Sequence, residues 1–191
     1  METAEKEELL GKYADLVIRY NSIFDLTNAK DKNDFVENHI GDALCAADNI
    51  RRLIPEGCEM LFDIGSGCGV PGIPLSIELG METVLIERGS RRADFLSLCA
   101  ASLGLTDMVH VYKSDFAEIK GSISFAVSRA LGKFEDMEKD LYDCLCDGGV
   151  LVMYKGKHDK TGKTKLSHFK SSEIITLEGG DKERCLLVLR K

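Results

Sequence analysis

A chain of 191 residues, 44% apolar and carrying a net charge of −7, suits one globular domain, spanning 1–191, with a single substantial core. No apolar run approaches the ~20 residues of a membrane span, and the opening METAEKEELL is acidic, unlike a secretion signal, so the expected compartment is the cytoplasm. The seven cysteines form no CxxC pair and share no ligand spacing with the four histidines, which predicts reduced thiols and no metal.

Leu9, Leu10, Tyr13, Leu16, Val17 and Tyr20 share one helical face, so residues 5–21 read as an amphipathic helix. NSIFDLTNAKDKND is polar and turn-rich and reads as a loop. From Phe35, the positions Val36, His39, Ile40, Ala43, Leu44, Ala47, Ile50 and Leu53 keep helical spacing until Pro55-Glu56-Gly57 stops the pattern. Residues 1–55 are therefore expected to form a helical extension in front of an α/β core over 58–191.

From Cys58 strands and helices alternate. CEMLFDI reads as a strand, 72–79 as a helix entered through prolines, and TVLIE as a strand. SRRADFLSLCAASLG is a helix with Ser90 as its cap and Gly104 as its stop. MVHVY and SFAVS are strands, 131–146 is a helix ended by Asp147-Gly148-Gly149, and VLVMYK is a strand. EIITLEGGDKERCLLVLRK reads as a hairpin around a glycine turn. This order predicts a doubly wound, mostly parallel, seven-stranded sheet with a C-terminal antiparallel hairpin.

Ligands of such sheets sit beyond the carboxyl ends of the strands. The loop after the first strand, DIGSGCGVPGIPL, has Gly65, Gly67 and Gly69 at alternate positions, a density that lets backbone approach a ligand closely. Residues 67–72 match GxGxxG, but in the wrong register. The dinucleotide fingerprint starts at the strand end, here Gly65, and then Val70 stands where the third glycine belongs. Asp63 discriminates further. A pyrophosphate over the loop would face that carboxylate at short range, whereas S-adenosyl-L-methionine carries a sulfonium and an ammonium and no phosphate. Glu87, closing the second strand, is placed to accept hydrogen bonds from ribose hydroxyls. Either acid alone is an ordinary polar strand end; the pair around GxGxG favours S-adenosyl-L-methionine over a nicotinamide dinucleotide.

The acidic charge argues on its face against a nucleic-acid partner, but it is unevenly placed. The first eight residues hold four glutamates, while residues 155–170 hold six lysines, two histidines and a single acid. Such a run is either a solvated loop or an arm that binds a polyanion through counterion release, and composition does not separate the two.

The pieces FDLTNAKD, HIGDAL, DIGSGCGVPGIPL, SRRADFL, VSRA, GGVLVMYKGK and ERCLLVLRK, in this order from about residue 20 to the C-terminus, resemble the bacterial 16S ribosomal RNA guanine-N7 methyltransferases, the RsmG family, also called glucose-inhibited division protein B. The resemblance implies the Rossmann-like class I methyltransferase fold, S-adenosyl-L-methionine as cofactor, and 16S ribosomal RNA or the small-subunit particle as partner of a monomer. Gly65 and Val70 match the cofactor loop. Ser114-Asp115 matches the pair contacting adenine, and Arg129 an arginine lining the cofactor and substrate pocket. His39 and Asp42, with Thr27 and Asn28, match the N-terminal segment folded over that pocket. Asp25, Asn38 and Ala43 depart from the usual asparagine, arginine and serine, which bears on substrate recognition.

Guanine N7 has an exposed lone pair and no proton, so no general base is expected. Arg129, His39 and Asn28 are the residues expected to orient the base; Asp63, Gly65, Gly67, Gly69, Val70, Glu87, Ser114, Asp115 and Arg129 are those expected to hold the cofactor. The expected phosphate footprint is Lys155, Lys157, Lys160, Lys163 and Lys165, with Arg88, Arg91 and Arg92. The rival readings are a methyltransferase of the same fold acting on a small molecule or protein and, behind it, an NAD-dependent oxidoreductase.

Overall fold

Seven strands form one sheet in the computed structural model, which describes residues 1–156, 166–177 and 184–191. They are β1 (Met60–Ile64), β2 (Glu82–Ile86), β3 (Val109–Tyr112), β4 (Ile123–Arg129), β5 (Leu145–Gly156), β6 (Ser171–Leu177) and β7 (Arg184–Arg190). The order is β3-β2-β1-β4-β5-β7-β6. β7 runs antiparallel to both its neighbours, and every other pairing is parallel. Both faces are covered, so the central strands are apolar throughout rather than alternating: Phe125, Ala126 and Val127 are all fully buried. Alternate residues still go to opposite sides. Leu61, Val127, Val152 and Val188 pack with Ala47, Ile50 and Leu75, while Ile64, Ala126, Leu151 and Leu187 pack with Phe134 and Leu141.

The helices flank this sheet. α1 (Thr3–Phe24) packs through Tyr13 and Val17 on Ile73 and Ile77 of α5 (Gly72–Leu79) and on Phe95 and Leu96 of α6 (Ser90–Ser102). The N-terminal extension thus shares the core beneath the glycine loop. α1 runs past the expected end because the Asn21 side chain closes it, with Oδ1 accepting from the amides of Leu26 and Thr27. The stretch expected as one helix over 35–53 is four pieces: α2 (Lys32–Phe35), a π-turn (Val36–Ile40), α3 (Gly41–Leu44) and α4 (Ala47–Leu53). Its loop expectation also fails at Asp31, whose carboxylate accepts from Asp34 N–H and starts α2 early.

Two further expectations are corrected. The residue capping α6 is Gly89, not Ser90, and the Gly89 N–H goes to Glu87. The helix read over 131–146 is shorter, α7 (Phe134–Cys144), and Leu145 to Gly149 open β5 instead. A tight bulge makes this possible: a Cβ on Gly149 would lie 2.9 Å from the carbonyl oxygens of both Cys146 and Ile123. The C-terminal hairpin is present as the β6–β7 pair. Among the described residues, no helix is long and apolar enough to cross a membrane, and no group of three His, Cys, Asp or Glu could hold a metal ion. Cys45, Cys58, Cys68, Cys99, Cys144 and Cys146 are free thiols.

Candidate functional site

The order β3-β2-β1-β4 makes the connections after β1 and β4 diverge, which opens a crevice at their carboxyl ends. Into it runs the glycine loop. The Gly65 and Ser66 amides donate to the Ile86 carbonyl at 2.9 and 3.1 Å, so the loop turns back over the end of β2. Gly65, Gly67 and Gly69 take φ of +71°, +58° and +101°, the left-handed region where a side chain would be strained. Buried Glu87 fixes the far side, its two oxygens accepting from Gly67 N–H at 3.0 Å and Gly89 N–H at 2.7 Å. From below, the Tyr13 hydroxyl of α1 donates to the Cys68 carbonyl at 2.9 Å.

The resulting cavity, about 230 Å³, is lined by Gly65, Glu87, Arg88, Ser114, Asp115 and Leu131, with Ile86, Arg92, Phe116, Ala130 and Met137 around them. This is below the ~300 Å³ of typical small-ligand pockets, so a ligand of nucleoside size or more extends from it along the loop. Its polar side chains are two carboxylates, Glu87 and Asp115, the Ser114 hydroxyl, and two guanidiniums, Arg88 and Arg92. Asp115 caps the turn Phe116–Glu118 through Ala117 N–H and meets Arg88 at 3.2 Å across the rim. Glu87 keeps lone pairs beyond its two backbone bonds. The two carboxylates suit hydroxyls and an amine, which S-adenosyl-L-methionine presents. Gly65 is needed for its left-handed φ, and a Cβ there would also press on the Leu131 side chain.

Of the expected cofactor residues, Gly65, Glu87, Ser114 and Asp115 line the cavity, while Asp63, Gly67, Gly69, Val70 and Arg129 do not. Asp63 is the clearest correction. It is fully buried beneath the loop, where Oδ2 accepts from Gly72 N–H at 2.9 Å and Oδ1 has no hydrogen-bond partner. Loss of hydration pushes its carboxyl up to about 7 against the lowering effect of the Gly72 amide. Asp63 therefore anchors the start of α5 and shapes the loop without touching the cavity. Ile86, Phe116, Leu131 and Met137 escaped sequence reasoning, because apolar wall residues carry no motif.

Arg129 ends β4, and its Nη2 lies 2.9 Å from His39 Nδ1. A guanidinium only donates, so Nδ1 accepts and the imidazole proton sits on Nε2, 3.4 Å from Thr27 Oγ1. The ring also stacks on Phe35, centroids 5.1 Å apart. The π-turn thus presents His39 to Arg129; such turns are frequent at functional sites. Exposed Asn28 lies one residue beyond Thr27. Beyond Arg129 a second cavity of about 230 Å³ holds Asp42, Tyr154, Lys155 and Arg184. Sequence reasoning assigned no role to Tyr154 or Arg184, although both stand in family-like pieces.

The expected phosphate footprint divides. Lys155 borders this second cavity, while Lys157, Lys160, Lys163 and Lys165 lie outside the described residues. Arg91 donates to the Ile23 carbonyl and Arg92 to that of Asp25 at 3.4 Å, so both tie α6 to the end of α1. Asp25 itself takes a left-handed φ of 54°, a conformation open to asparagine and aspartate alike. Asn38 donates to Asp34 at 2.6 Å, and Ala43 is fully buried.

Residues 6–178 match the family model described as "GidB: rRNA small subunit methyltransferase G". The chain is 35% identical over 190 residues to the ribosomal RNA small subunit methyltransferase G of Brachyspira hyodysenteriae, covering 96% of this chain and 90% of that protein. With the protein of the same name from Ralstonia nicotianae it is 33% identical over 203 residues, covering 99% and 88%. Among solved structures, an RNA methyltransferase from Salinibacter ruber in complex with S-adenosyl-L-homocysteine superposes with a TM-score of 0.57 at 19% identity, over 76% of this chain and 89% of that one. The tRNA (m1A58) methyltransferase TrmI from Aquifex aeolicus gives 0.58 at 14% identity, over 78% and 68%. These structures speak for the fold, that of the class I S-adenosylmethionine-dependent methyltransferases. The chain belongs to the rRNA small subunit methyltransferase G family.

Proposed function

We infer that this protein transfers a methyl group from S-adenosyl-L-methionine to N7 of a guanosine in the 16S ribosomal RNA of the small subunit. Membership of the family over residues 6–178 carries this reading, and the cavity at the ends of β1 and β2, with the carboxylates of Glu87 and Asp115 in its wall, agrees with it. The compartment proposed is the cytoplasm, where ribosomal subunits are assembled, and the acting form a monomer.

Bound S-adenosyl-L-methionine supplies an electrophilic methyl group. Glu87 would hold its ribose hydroxyls and Asp115, now paired with Arg88, its adenine amine. Guanine N7 has no proton to lose, so catalysis needs no base; holding that nitrogen in line at ~3 Å supplies several kcal/mol. Arg129, held by His39 and through it by Thr27, would orient the base, with Asn28 beside it. The lysines of 155–165 contact backbone phosphate. Calorimetry with S-adenosyl-L-homocysteine against NADH, followed by methyl transfer from labelled donor to 16S RNA, a protein mixture and small-molecule acceptors, tests the reading. Binding of the first ligand and label confined to RNA are the expected results; tight NADH binding or label in another acceptor class would replace it with a rival.

A further inference from the structure

The second cavity lies on the same carboxyl edge of the sheet, where β4 and β5 end and β7 begins, with α3 laying Asp42 against it. Arg129 borders it, and the next two residues, Ala130 and Leu131, line the cofactor crevice, so one short segment separates the two spaces. We propose that this cavity receives the guanine base and that Asp42 reads its Watson–Crick edge. The proposal rests on the guanine-N7 reading above and adds the residue that selects guanine.

Three observations support it. The Asp42 side chain is only 19% exposed and forms an ion pair with Arg184, itself 18% exposed, which fixes the carboxylate in place. Its Oδ1 is buried, and despite this charge contact no hydrogen bond of good geometry reaches it. A carboxylate offers only acceptor sites, about four of them, and the Arg184 contact on Oδ1 takes one. The Tyr154 ring gives the cavity a rigid wall, because its buried hydroxyl donates to the Ala43 carbonyl at 3.0 Å. Among the four RNA bases only guanine carries two adjacent donors, N1–H and the 2-amino group, on one edge. Adenine and cytosine put a ring acceptor against the carboxylate. N7 lies on a different edge, so a guanine gripped by Asp42 leaves its reactive lone pair uncovered, available to the neighbouring crevice.

A double-mutant cycle tests this. The methylated guanosine is first located by mass mapping of wild-type product, and RNA is then ligated with inosine, which lacks the 2-amino group, at that position. A bidentate base contact discriminates by a factor of about 5 to 150. Wild-type protein should therefore lose at least tenfold in kcat/KM on inosine. Asp42→Asn should lose at least thirtyfold on guanosine and no more than twofold further on inosine, with S-adenosyl-L-homocysteine affinity unchanged. Asp42→Ser takes its place if the asparagine variant fails to bind that ligand. Wild type indifferent to inosine, or losses that simply multiply, would overturn the role of Asp42. Wild-type product lacking N7-methylguanosine would instead overturn the reading on which it rests.

Discussion

Burial holds the Asp63 carboxyl up to about 7, which fixes how pH acts on the fold. An unfolded aspartate titrates near ~3.9, so between pH 4 and 7 the folded chain binds more protons than the unfolded one. The stability this group contributes is full below that lower value and is lost as pH rises to 7, with no further change above. Asp63→Asn removes the penalty, so the variant should gain on wild type by a few kcal/mol between pH 5 and pH 8 in urea melts; a difference independent of pH contradicts this. Arg129 is the opposite case, a residue whose cost should be catalytic. Arg129→Ala is expected to lower kcat at least ~100-fold, in line with lost positioning, while the melting temperature stays within a few degrees. Near-normal turnover would remove Arg129 from the site. Gly65, Glu87, Ser114 and Asp115 were legible because strand ends locate a crevice in this fold. The direction of Asp63 was not, since one residue of register in β1 decides whether a side chain faces the cavity or α5.

The glycine loop and the helix it feeds act as one element. Gly72 lets α5 approach β1 and β2 closely: a Cβ there would lie 2.5 Å from Leu85 Cδ2 and 2.7 Å from Asp63 Oδ2. Gly72→Ala should therefore cost ~1–3 kcal/mol of stability by overpacking and weaken S-adenosyl-L-homocysteine binding, read by denaturant melts and calorimetry. A neutral substitution would mean that α5 is free to shift. The strands were legible because each is a short apolar run between turn signals. The segmentation of 32–53 was hidden, because buried Phe35, Ile40 and Ala43 are spaced by five and then three residues, which averages to a helical period. Only the extra residue of the π-turn keeps Phe35 and Ile40 both on the core, and periodicity does not register it. Likewise Leu145-Cys146 continues the apolar pattern of α7, while the Gly149 bulge that turns it into strand depends on contact with Ile123 across the sheet.

At the scale of the whole molecule, a net charge of −7 has to coexist with a polyanionic substrate. The lysine run is proposed to resolve this, because phosphate contacts are local and act through counterion release whatever the global charge. Replacing Lys157, Lys160 and Lys163 by glutamine should flatten the slope of log K against log salt by roughly 0.7–0.9 for each lysine that meets a phosphate, measured by filter binding of 16S RNA. A slope equal to wild type would return the run to an ordinary solvated loop. The doubly wound, mostly parallel sheet, the crevice and the family were all within reach of the sequence. The second cavity was not, since it joins Asp42, Arg129, Tyr154 and Arg184 from four parts of the chain that only the fold assembles. The most direct measurement compares small-subunit RNA from cells with and without the gene for this protein, nucleotide by nucleotide, by mass spectrometry. The expected result is one N7-methylguanosine that vanishes from the deletion strain and returns when purified protein and S-adenosyl-L-methionine are added to its subunits. An unaltered set of methyl marks, or a methyl restored at any atom other than guanine N7, would contradict the account.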